Sequence, residues 1–191
     1  MLDQFTNTQL MVAAAVVLVV IVIAVFGYLA YRRIRTRAFR TRFGPEYDRA
    51  VITHGSSHKA ETKLADRETR VKTLELRDLG STERDRFVAD WEAVQARFVD
   101  YPKSAVTGAD ELISSLLVAR GYPKGNFDQR AADISVSYPR VMEDYRLANA
   151  IAVRSGRADA STEELRTAMI QYRTIFDELV QTQPQKKASA A

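Results

Sequence analysis

From Leu10 to Tyr31 the chain runs 22 residues without a charged side chain. At about 1.5 Å of rise per residue, a helix of that length covers roughly 33 Å, against a hydrocarbon thickness of about 30 Å. Val, Ile and Leu dominate the stretch, so it has no polar face to turn toward water as a soluble helix would. Within a bilayer only a helix satisfies its own backbone in such a single segment. A transmembrane helix is therefore expected at 10–31. A cleaved leader fits poorly: it wants a basic start, an apolar run of about 7 to 15 residues and a small-residue cleavage site. Here MLDQFTNTQ carries no Lys or Arg, and AYRRIR is a poor cleavage site. The span contains no ionisable group, which leaves transport or proton relay unsupported. It also lacks a small-xxx-small pair, since Ala24 meets Tyr28 and Gly27 meets Tyr31.

The flanks set the expected orientation. Six arginines follow the span, Arg32, Arg33, Arg35, Arg37, Arg40 and Arg42, and residues 1–31 hold no basic side chain. Arginine is retained on the cytoplasmic side, so residues 1–9 are expected outside and the rest inside, at a bacterial inner membrane. Tyr28 and Tyr31 then fall at the inner interface, which suits their amphipathic rings. Topology alone suffices to explain the arginines; anionic lipid headgroups are an additional expected partner. Setting those six aside from 28 basic residues, and Asp3 aside from 24 acidic ones, leaves 22 against 23 for residues 43–191. A domain that balanced is not expected to bind nucleic acid, which calls for a basic face. With no cysteine, disulfides, thiolate catalysis, Cys-based zinc sites and S-acylation are excluded.

Beyond the basic juxtamembrane segment 32–44, apolar spacing is helical almost throughout. Pro45 and Gly55 bracket a short helix. The stretch SSHKAETKLADRETRVKTLELRDL reads as one long solvated helix with a thin stripe of Ala60, Leu64, Val71 and Leu74. Asp66–Arg70 and Glu68–Lys72 are expected as i,i+4 pairs along it. Ser81 is the expected cap of a helix running to about Asp100, with Phe87, Trp91, Val94 and Phe98 on one face. A helix after Pro102 carries Leu112, Ile113, Leu116 and Leu117, and NFDQRAADISV reads as another. After Pro139, Val141, Tyr145, Ala148 and Ala152 share a side until Gly156. Ser161 and Glu164 form a capping box before Leu165, Met169, Tyr172, Phe176 and Leu179. The expected fold is all-α: one transmembrane helix, then a bundle of about six helices over 45–181, then a disordered tail at 182–191.

Candidate chemistry is sparse. His54 and His58 stand four apart, but Gly55 between them reads as a break, so no metal site is expected. A Tyr-Pro-basic triplet recurs at 101–103, 122–124 and 138–140. The first reading is structural: each proline opens a helix and each tyrosine packs its junction. The second makes Tyr101, Tyr122 and Tyr138 a partner surface. RGYPKGNFDQRAAD holds two glycines with Arg120, Lys124 and Arg130, but no strand precedes it, as a phosphate cradle would require. Acidic pairs such as Asp110–Glu111 and Glu163–Glu164 sit at helix N-termini, where the helix dipole favours them. No catalytic set and no cofactor is expected.

The segments RFGPEYDRAV, ARGYP…FDQRAADISV and STEELRTAMIQYRTIFDEL, in that order and spacing, resemble an uncharacterised family of bacterial single-span membrane proteins over roughly residues 42 to 180. The resemblance implies an inner-membrane protein with a helical cytosolic domain, and it implies no activity and no site residues. The expectation is a membrane-anchored interaction or scaffold module with a protein partner. The alternatives are an enzyme whose carboxylate and arginine site is scattered along the sequence, or a helical domain facing the envelope.

Overall fold

The structure is a computed structural model that describes residues 2–157 and 160–181, with the side chains of residues 2–8 left aside. Among the described residues every regular element is helical, as expected for an all-α chain. Two compact units are present, Met1–Arg42 and Phe43–Ala191.

The first unit is nearly the whole of α1, Leu2–Phe43. Its side chains from Leu10 to Tyr31 are exposed along their length among the described residues, unlike those of a buried core helix. The helix does not stop at Tyr31: the segment with all six arginines continues it. Gly44 ends it, with φ 50° and ψ −127°, a conformation open essentially to glycine alone.

Seven α-helices form the second unit, where about six were expected. Pro45 opens α2, Pro45–His54, and Gly55 closes it in the left-handed conformation at φ 75°. Helix α3, Ser57–Lys72, is capped by Ser56, whose hydroxyl accepts from the Lys59 N–H at 3.3 Å. It ends well before the expected boundary, and residues 74–80 form an extended strap instead. The strap is held by tertiary contact: the Arg77 N–H donates to the Arg120 carbonyl at 3.0 Å. Gly121, at φ 92°, lies so close that an added Cβ would stand 2.3 Å from the Glu75 carbonyl oxygen. Only glycine fits there.

Helix α4 spans Ser81–Arg97. Its cap is Gly80 rather than Ser81, and the Glu83 carboxylate accepts from the Gly80 N–H at 3.2 Å. Helices α5, Pro102–Ala119, and α6, Phe127–Ser137, follow, the latter capped by Asn126, which accepts from the Gln129 N–H at 2.9 Å. A 3₁₀ turn at Pro139–Val141 leads into α7, Met142–Ser155. The box before α8, Thr162–Gln181, is complete: the Glu164 N–H donates to Ser161 Oγ at 3.3 Å and the Ser161 N–H donates to the Glu164 carboxylate at 2.8 Å. The expected disordered tail, 182–191, lies outside the described residues.

The expected stripes are the core. Phe87, Trp91 and Val94 of α4 are buried with Ile113, Leu116 and Leu117 of α5, Tyr145 and Ala148 of α7, and Leu165, Tyr172, Phe176 and Leu179 of α8. Trp91 stacks on Phe176 with centroids 4.8 Å apart. Phe98, Leu74 and Ala152 flank this core, half-buried. Helix α8 packs between α5 and α7, while the α2–α3 hairpin rests on α6.

Candidate functional site

The six arginines lie along the end of α1. Arg32, Arg33 and Arg37 are exposed. Arg35 is half-buried and its guanidinium carbon stands 5.7 Å from the centre of the Phe39 ring. Arg40 and Arg42 are exposed, and with Arg35 they engage other groups of the protein.

The three tyrosines do not form one surface. Tyr101 is 67% exposed, but Tyr122 and Tyr138 are 4% and 3%, so the expected partner face is corrected at both. Their rings are taken up by the core, and the Tyr122 hydroxyl bonds Ser137 Oγ at 3.1 Å. Pro102 and Pro139 begin helical turns as the structural reading expects; Pro123 lies in the α5–α6 loop and begins none.

In the α5–α6 loop Gly121 serves the close approach of the strap. Arg120, at the end of α5, and Arg130, within α6, run to two separate polar places that the sequence does not join. Arg120 is buried at 2% exposure. It donates through Nη1 to the Leu179 carbonyl, while Arg84 Nε donates to the Val180 carbonyl at 3.2 Å. The two cations thus close the end of α8, where free carbonyls and the helix dipole favour positive charge. Arg120 also has Asp78 at 3.8 Å and the Tyr138 ring 5.9 Å from its guanidinium carbon. Its Nε and Nη2 and the Tyr138 hydroxyl are buried without hydrogen-bond partners among the described residues. Burial pushes the Tyr138 phenol up to about 12.

Arg130 crosses to α5, donating to Ser114 Oγ at 2.7 Å, with the Asp110 carboxylate 3.7 Å away. Asp110 in turn accepts from the Tyr172 hydroxyl at 3.0 Å. Burial and then the Asp110 charge raise the Tyr172 pKa, and burial raises that of neighbouring Tyr145 to about 12. Both phenols are therefore neutral across the physiological range. The cluster pins α5, α6 and α8 together.

A third set of charges joins the α2–α3 hairpin to the bundle. Arg146 of α7 holds the buried Glu46 of α2 through two hydrogen bonds, the one to Oε2 at 2.8 Å. Asp133 of α6, 1% exposed, accepts from Arg70 and Gln129, both at 2.9 Å. Arg70 is thereby diverted from Asp66, which meets Lys63 at 3.7 Å instead; the Glu68–Lys72 pair stands as expected at 2.6 Å. Arg67 lies beside Glu46, Arg146 and Asp133, and burial lowers its pKa. The expected contact stripe of Ala60, Leu64 and Val71 is buried, and beside it α3 carries a charged seam. Within the hairpin, the Tyr47 hydroxyl donates to Glu61 at 3.3 Å.

One open groove, of about 430 Å³, runs between α4 and α8. Phe98, Met169 and Ile170 give it apolar walls, and Gln95, Arg173 and Asp177 lie along its edge. Arg173 is already bound to Asp177 at 2.8 Å and to Gln95 at 3.1 Å. His54 is half-buried at the end of α2 and His58 is exposed in α3 beyond the Gly55 break. No group of three or more metal-ligating side chains occurs among the described residues.

These arrangements define a class: a helical domain whose polar interior is spent on joining helices, preceded by a helix long and apolar enough to cross a membrane. The chain matches no family model, no curated protein and no solved structure.

Proposed function

We propose that the chain is a single-pass, membrane-anchored interaction module of a bacterial inner membrane. In this reading α1 crosses the bilayer once, residues 1–9 lie outside, and the helical domain works in the cytoplasm, docking a protein partner near the inner leaflet. The observation that carries it is the build of α1: 22 uncharged, exposed residues followed on the same helix by six arginines. Arginine next to a span holds its end on the cytoplasmic side. The domain supports the partner role through its composition of joined helices with no assembled catalytic set among the groups described above.

Proximity labelling from the domain tests the reading. The full chain, expressed at its own membrane, is expected to label a defined set of neighbours that disappears when the domain is deleted and α1 retained. Recovery of bulk membrane proteins alone, unchanged by that deletion, would overturn it.

A further inference from the structure

We infer that Arg32, Arg33 and Arg37 form a collar for anionic lipid phosphates, distinct in role from Arg40 and Arg42 further along the same helix. The inference rests on the membrane-anchor reading and gives its lipid partner a site. Because α1 is uninterrupted to Phe43, the position of each arginine follows from helical rise. Arg32, Arg33 and Arg37 stand about 1.5, 3 and 9 Å beyond Tyr31, whereas Arg40 and Arg42 stand about 13.5 and 16.5 Å beyond it. A bilayer's surface field decays over a Debye length of about 8 Å at physiological salt. With headgroups filling about 5–7 Å beyond the hydrocarbon on each side, the first three stand among the phosphates or within a few Å of them, and the last two stand about a Debye length further out, where the field is largely screened.

Side-chain state agrees except at Arg35, which stands about 6 Å beyond Tyr31 but is engaged within the protein and so is left out of the collar. Arg32, Arg33 and Arg37 are exposed and make no hydrogen bond or ion pair with any described residue, while Arg35, Arg40 and Arg42 engage other groups of the protein. Angular placement favours lipid over a protein partner. At about 100° per residue, Arg33 and Arg37 fall within ~40° of each other and Arg32 lies ~100° away from Arg33. A protein docking on a helix meets one face, but lipid surrounds a lone helix on every side. Three guanidiniums spread over more than a third of the circumference can each take a phosphate from that ring, with arginine's fork matching phosphate oxygens two at a time.

The test is lipid selectivity of the full chain reconstituted in vesicles, read by electron spin resonance as the immobilised fraction of spin-labelled phosphatidylglycerol against spin-labelled phosphatidylcholine. Flotation scores incorporation separately. The wild type is expected to prefer phosphatidylglycerol several-fold. R32Q/R33Q/R37Q is expected to fall to near parity while still incorporating, and R40Q/R42Q to keep the preference. The lysine version, R32K/R33K/R37K, should retain most of it, since the surface field acts on charge. Incorporation without any phosphatidylglycerol preference overturns the collar and leaves the anchor standing. Equal loss in R40Q/R42Q and the triple variant overturns the division between near and far arginines. Failure to incorporate at all overturns the anchor and the collar with it.

Discussion

At Gly121 two constraints meet in one residue. Its φ of 92° is a left-handed value, and the space a Cβ would need is taken by the Glu75 carbonyl oxygen at 2.3 Å. Backbone strain of this kind costs about 1–3 kcal/mol before the clash is counted. Gly121→Ala is therefore expected to lose about 3 kcal/mol or more, by freeing the strap over Arg120. The sole tryptophan reads this directly in urea unfolding of the detergent-solubilised chain, because Trp91 is buried against Phe176. An alanine variant as stable as wild type would mean that the strap does not dock. The buried phenols make a sharper set. Tyr138 buries a hydroxyl with no hydrogen-bond partner among the described residues, whereas the Tyr172 hydroxyl donates to Asp110 at 3.0 Å. Removing an unsatisfied buried polar atom is neutral or stabilising, while removing a donor to a carboxylate costs about 1–2 kcal/mol. Tyr138→Phe is thus expected within about 0.5 kcal/mol of wild type or above it, and Tyr172→Phe below it. The reverse order in the same unfolding measurement would show that the Tyr138 hydroxyl is bonded and the Tyr172 hydroxyl is not.

Helix ends in this domain are set by carboxylates as much as by caps. Hydrogen bonds from Arg77 and then from the Gly80 N–H bring Glu83 down from 4.5 to about 2. Glu164 is also lowered, first by the Ser161 N–H and then by the Ser161 hydroxyl. Both groups take up protons more readily in the unfolded chain, so stability rises with pH wherever that difference operates. Their contribution is present above 4.5, and that of Glu83 is lost as pH falls toward about 2. The double variant Glu83→Gln/Glu164→Gln is expected to flatten the acid limb of a stability–pH profile between those values. Both groups lie half-buried at the surface, open to solvent, so 1 M salt should flatten it in part. An unchanged slope would remove these two carboxylates from the acid response. The same elements show what a sequence carries and what it does not. Stripes such as Leu165–Met169–Tyr172–Phe176–Leu179 are local, with a period that survives in any context, and they are the core. The Ser161–Glu164 box is equally local. The end of α3 is not: LELRDL continues a helical spacing, and what stops it is an Arg77 N–H bonded to Arg120 and a glycine across the strap. The ion pairs are hidden for the same reason, since Arg70 meets Asp133 across 63 residues and Arg146 meets Glu46 across 100. Tyr122 and Tyr138 carry the same triplet as Tyr101 yet are buried, because the packing of their rings is decided by distant helices.

At the scale of the whole chain, the proposed orientation rests on one asymmetry. Six arginines lie on one side of the apolar stretch, and none lies on the other. Moving such a cluster across a membrane is opposed far more strongly than moving MLDQFTNTQ, whose only charge is Asp3. With a tag at the C-terminus, protease added to spheroplasts is expected to leave the tag intact and to digest it once the membrane is lysed. Replacing all six arginines with glutamine removes the asymmetry while keeping the length and apolarity of the span, so a mixed population with part of the tag digested is expected. The variant also separates two causes of a protected tag. If charge sets orientation, protection falls in the variant. If instead the domain folds before it can be translocated, protection persists, because α2–α8 form their own compact unit from Phe43 onward. A tag digested in the wild type overturns the cytoplasmic placement. The Tyr101 ring and the α4–α8 groove would then face the cell envelope, and partners would be sought there.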